Sequence, residues 1–147
     1  MDKSAAVGLT VVVGGLIALQ APINSGLGKR IGTLPAASAS FLIGTALLVL
    51  LALVVGGGFG KVGAARHLSW YYLLGGVLGA AYVTTVLVTV RSLGAGGVTA
   101  ATIAGQLTAA VIVDQLGILG VAKHAVTAPR FAGIALLAVG TFLVVRY

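Results

Sequence analysis

Asp114 is the only acidic residue beyond position 2 of this 147-residue chain. It closes an apolar stretch in which Thr99, Thr102, Gln106, Ala110 and Asp114 recur at helical spacing. At about 100° per residue these five fall within about 120° of arc, so one helix face is polar or small along most of its length. A carboxyl group at membrane depth can exchange a proton or a cation with water, the step on which a coupled carrier depends. The other reading places Asp114 at the membrane edge, paired with a nearby Lys or Arg as an anchor.

Gln106 falls near the middle of the same stretch, where its amide must bond to another helix or line a cavity. Nearer the N-terminus, Gln20 and Asn24 share a face, with Pro22 between them. Pro22 has no N–H, so the carbonyl of Ala18 loses its helical partner and the segment tends to kink. A kinked helix beside polar side chains is a recurrent way to build a transport site. The plainer alternative is a kinked helix end capped by Asn24 and Ser25. Tyr82, Thr85 and Thr89 make a third polar face, and the Tyr82 hydroxyl needs a partner, either in packing or in a cavity. The candidates for contact with a small-molecule substrate are therefore Gln20, Asn24, Tyr82, Thr102 and Gln106, with Asp114 as the candidate for coupling.

The elements that carry these side chains follow from composition. Hydrophobic residues make up 59% of the chain and charged residues 7%, with a mean hydropathy of +1.17. A soluble domain carries about 25% charged residues, so the solvent here is lipid and the class is a polytopic, all-α integral membrane protein. The chain has no cysteine, which excludes disulfides and thiolate sites. No H-E-x-x-H, G-x-S-x-G, P-loop or intramembrane carboxylate pair is present, and His67 and His124 stand alone in predicted loops. The sequence thus predicts no enzyme, metal or cofactor. Its nine Lys and Arg are scattered singly or in pairs between apolar blocks, the pattern of membrane-flanking anchors rather than of a nucleic-acid face.

A hydrocarbon core about 30 Å thick needs roughly 20 apolar residues per helix. Five blocks meet that length, at about 4–27, 35–55, 69–90, 97–116 and 129–145, and they are predicted to form one domain over 1–147. The first is too long an apolar run for a cleaved signal peptide. Pro35 and Pro129 fall at helix starts, and Trp70, Tyr71 and Tyr72 form an interfacial cluster. With five spans the termini face opposite sides. One side then holds Lys3, Lys61, Arg66, Lys123 and Arg130, and the other Lys29, Arg30, Arg91 and Arg146. So even a distribution gives almost no instruction for orientation. Either a weak bias selects one orientation, or the chain inserts both ways and pairs antiparallel.

In this order and spacing the sequence resembles the short, five-helix YdcZ-like members of the drug/metabolite transporter superfamily. The most specific part is Gly105-Gln106-Leu107, then Asp114, Leu116-Gly117 and Gly120. Supporting pieces are Gln20 and Asn24; Trp70, Gly75-Gly76, Gly79 and Ala80; and Pro129, Arg130, Gly133 and Gly140. The resemblance implies one inverted-repeat half of a ten-helix bundle, completed by an antiparallel second copy or by an opposite-topology paralogue in the cell (inner) membrane. Related small multidrug exporters use a glutamate in their first helix, and this chain departs from that scheme with Gln20. The expected function is a secondary transporter of small molecules, proton- or ion-coupled. A small dual-topology ion channel and a non-transporting assembly subunit are the alternatives.

Overall fold

The computed structural model describes residues 2–60, 62–67 and 69–147; Lys61 and the side chain of His67 lie outside the description. The described chain is all-α. It comprises α1 (Lys3–Ile31), α2 (Thr33–Val54), α3 (Leu74–Leu116) and α4 (Ala128–Arg146), with 3-10 turns at Val62–His67 and Trp70–Leu73. Four helical stretches are long and apolar enough to cross a membrane, the Trp70–Leu116 stretch being taken as one.

Asp2 starts α1 by accepting a 2.7 Å hydrogen bond from the Ser4 N–H, a carboxylate at the positive end of a helix. The helix passes through Pro22 and continues to Ile31, with Lys29 and Arg30 in its last turn. Asn24 and Ser25 therefore lie inside the helix and do not cap its end. The predicted connection between the first two spans shrinks to Gly32, whose φ of 95° reverses the chain. Pro35 is tolerated just beyond because the first turn of a helix does not use its N–H; the first bond across that turn runs from the Ala36 N–H to the Gly32 carbonyl at 3.1 Å.

The connection predicted after residue 90 is likewise almost absent. Helical hydrogen bonding resumes around a single non-helical residue, Gly94, at φ 68° and ψ 171°. That combination is accessible essentially to glycine alone. Without the break, 43 residues of helix would run about 65 Å at 1.5 Å per residue, twice the hydrocarbon thickness.

The chain falls into two compact units, Leu19–Arg91, and Met1–Ala18 with Ser92–Tyr147. Both boundaries lie beside helix breakers, at the Ala18 carbonyl that Pro22 leaves without its usual partner and just before Gly94. In the Leu19–Arg91 unit the core is Ala36, Ala37, Val83 and Leu87, with Tyr82 packed against it. Small residues on α2 let the first half of α3 approach closely, which matters where lipid removes the hydrophobic drive for helices to associate. Of the small residues noted in the sequence, Gly79 does meet a neighbour, the Phe41 ring at 3.5 Å from a built Cβ, whereas Gly75 and Gly105 face open space. In the other unit the second half of α3 lies antiparallel to α4: the Thr141 hydroxyl donates to the Ala100 carbonyl at 3.1 Å at one end, and Arg130 meets Asp114 at the other.

Gly94→Ala should cost about 1–3 kcal/mol of stability in detergent, because the new Cβ occupies a glycine-only conformation. Gly75→Ala, at an open helical position, should change stability by less than about 1 kcal/mol. Thermal melts followed by circular dichroism compare the two; equal Tm values would mean that the break accepts a side chain.

Candidate functional site

In the Leu19–Arg91 unit, polar side chains on three helices form a bonded set. The Asn24 amide donates to the Ser40 hydroxyl at 3.0 Å. Asn24 and Ser40 stand the same number of residues on either side of Gly32, so the reversal at Gly32 brings them to one depth. One residue closer to Gly32, the Ser25 hydroxyl donates to the Leu87 carbonyl at 3.1 Å. The Arg91 guanidinium donates to the Ser25 hydroxyl through Nε and to the Thr33 hydroxyl through Nη2, both at 3.3 Å. Gly28 makes room for it, since a Cβ there would lie 3.1 Å from Nη2.

Among the predicted substrate contacts in this unit, Asn24 is buried and bonded, and Tyr82 is half-buried against the core. Gln20 is exposed, and among the described residues no hydrogen bond joins it to Asn24 or Tyr82. Asn24 therefore acts first as a link between α1 and α2, and Tyr82 packs as a core neighbour. Arg91 had the sequence signature of a simple span-end anchor. Its bonds to Ser25 and Thr33 have no signal in local spacing, because the partners lie far away in the chain.

In the other unit Asp114 and Arg130 form an ion pair, with Arg130 Nη1 donating to Asp114 Oδ2 at 3.3 Å. The pair is only partly withdrawn from solvent, the two side chains being 26% and 39% exposed. The loop that follows α3 closes over the same helix end. Gly117 turns with φ 63°, Leu119 sits at φ 60° and Gly120 at φ 79°. The His124 N–H then donates to the Asp114 carbonyl at 2.8 Å, and the Val126 N–H donates to Gln115 Oε1 at 2.7 Å. Gly117 is favoured by its positive φ and by close packing, because a Cβ would lie 3.0 Å from the Lys123 Cβ. On the face that runs to Asp114, Thr99 and Thr102 are half-buried and Gln106 is exposed. No hydrogen bond links Thr102, Gln106 and Asp114 among the described residues.

Over residues 5–143 the chain matches the family described as "Putative inner membrane exporter, YdcZ". The chain belongs to the YdcZ family. No curated protein and no solved structure matches it. Membership makes it a multi-pass inner membrane protein of a transporter family rather than of an enzyme family.

The stretch from Gly105 to Gly120, on which the resemblance chiefly rested, ends in the loop that closes the Asp114 helix. Gly117 and Gly120 take positive φ in that loop, a conformation that glycine adopts without steric cost. Arg130, also among the residues that carried the resemblance, is the partner of Asp114.

A double-mutant cycle should measure that pair. Arg130→Ala alone should lower stability by about 1 kcal/mol, the upper range for a partly solvated pair. Arg130→Ala in an Asp114→Ala background should cost clearly less. Equal costs in both backgrounds would show that the two side chains are not coupled.

Proposed function

We propose that this YdcZ-family chain is a secondary transporter of small molecules that works as an antiparallel, dual-topology homodimer of five-span subunits. The observation that carries the reading is the break at Gly94. It leaves a membrane-length helix on each side, so that α1, α2, the two halves of α3 and α4 make five crossings. Five crossings place the termini on opposite sides, and the cations then divide five to four. That near-even division supports insertion in both orientations.

The exposed amides of Gln20 and Gln106 support a second copy on energetic grounds. Neither has a partner among the described residues, and an amide facing hydrocarbon is costly. A second copy or a polar cargo would satisfy them. An antiparallel pair has two states of equal energy by symmetry, one open to each side, so alternating access needs no separate device. Asn24, Tyr82 and Thr102 are the further proposed substrate contacts. Asp114 is the proposed coupling group, with Arg130 as the counter-ion that a proton or cation arriving at the carboxylate would release.

The Asp114–Arg130 pair also favours a second reading. If Asp114 serves only to hold α4 against α3, flux would not depend on its charge, as in a small dual-topology channel.

Two measurements separate these readings. In the cysteine-free chain, Tyr147→Cys should be labelled by an impermeant maleimide from both sides of the membrane in comparable amounts. Labelling from one side alone would remove the homodimer and require an opposite-topology paralogue. Reconstituted protein on supported membranes should give saturable, pH-dependent currents with a panel of small ions and amphipathic metabolites. Asp114→Asn should reduce them by at least about tenfold, the scale expected for loss of an essential ionisable group in a membrane span. A sustained conductance unchanged by Asp114→Asn would establish the channel.

A further inference from the structure

The chain has nine Lys and Arg but only two carboxylate side chains, and both carboxylates are engaged. Asp2 accepts the Ser4 N–H at the start of α1, and Asp114 accepts Arg130. The Leu19–Arg91 unit contains no Asp or Glu at all.

Arg91 sits in that unit with neutral partners only. Of the five N–H donors of a guanidinium, one on Nε and one on Nη2 go to the hydroxyls of Ser25 and Thr33. The remaining donors have no partner among the described residues, and the side chain is exposed. Ser25 is 4% exposed, so one of the two oxygens that orient the guanidinium is itself fixed by packing and by its bond to Leu87. Lys29 and Arg30 follow directly on Gly28, the residue against which the guanidinium lies. Three cations thus belong by chain position to the Gly32 end of α1, α2 and the first half of α3, and two hydroxyls orient the guanidinium.

We propose that Arg91, oriented by Ser25 and Thr33 and with Lys29 and Arg30 at the same helix end, is an oxyanion-binding site for a phosphate group. A planar guanidinium held on one edge leaves its other donors free to meet phosphate oxygens in pairs. Lys29 and Arg30 add attraction without needing a fixed geometry. The phosphate can come from the headgroup of an anionic phospholipid or from a soluble phosphate compound. Basic pockets between membrane helices are suited to the first. The site does not depend on the antiparallel pairing or on transport.

The test uses the unaltered full-length chain, so no variant has to fold. The protein is placed in vesicles of phosphatidylcholine, of phosphatidylcholine with phosphatidylglycerol, and of phosphatidylcholine with inorganic phosphate in the buffer. Each sample is treated with phenylglyoxal, and modification of Arg91 and Arg146 is read by peptide mass spectrometry. Arg146 is the internal reference, because it lies 5.5 Å over the Phe142 ring and has no oriented hydroxyl partners among the described residues. Phosphatidylglycerol should lower Arg91 modification about fivefold, with Arg146 changing by less than about twofold. That result assigns the site to a lipid headgroup. Protection of Arg91 by inorganic phosphate, without protection by phosphatidylglycerol, assigns it to a soluble phosphate. Equal protection of both arginines, no protection in either sample, or an Arg91 unreactive in phosphatidylcholine alone would each overturn the proposal.

Discussion

Lipid supplies no hydrogen bonds, so every polar group inside the membrane must find its partner in protein or in a wetted cavity. The other consequence is that apolar side chains gain little by leaving lipid for one another. Val12, Leu16, Leu48 and Val54 stay exposed, which would be untenable in water and is ordinary here. The buried residues are correspondingly few and mostly small, with Ala36 and Leu87 the most enclosed. What distinguishes one packing from another is then a short set of directed bonds. Asn24 to Ser40, Ser25 to Leu87, Arg91 to Ser25 and Thr33, Arg130 to Asp114 and Thr141 to Ala100 each join segments distant in sequence.

Helix breakers decide where those bonds can form. Gly32 folds α2 back on α1 within a single residue and so sets Asn24 opposite Ser40. Gly94 interrupts what would otherwise be one helix too long for any bilayer. Pro22 is the exception, since the helix runs through it, yet the boundary between the two compact units falls next to the carbonyl it leaves without its usual partner.

Charge is handled in two ways. The Asp114–Arg130 pair is self-contained, a carboxylate matched by its own cation at a helix end closed by the 117–127 loop. Arg91 is matched only by neutral oxygens. The first arrangement balances its own charge. The second keeps a standing positive charge. No carboxylate side chain of its own unit neutralises it.

The membrane class, the long apolar character of the chain and the family were legible in the residues, because lipid solubility is a local property that composition records directly; five spans were expected, and the third and fourth run together as the single Trp70–Leu116 stretch. Pro35 and Pro129 marked helix starts, although the connections proved shorter than expected: α1 runs to Ile31 and only Gly94 is non-helical where a loop was expected. The face from Thr99 to Asp114 was also legible, since helical periodicity alone arranges it, and so was the reading of Asp114 as paired with a nearby Lys or Arg. The choice of Arg130 as its partner, and the change of Asn24 and Ser25 from helix-end caps to interhelical links, were not. These depend on which helices lie side by side and at what depth, and no local pattern encodes that. The sequence by itself determined the solvent, the helices and their polar faces; only the tertiary structure decided which polar group meets which, because hydrogen bonds are short-ranged and their partners here are brought together by chain reversals at single glycines.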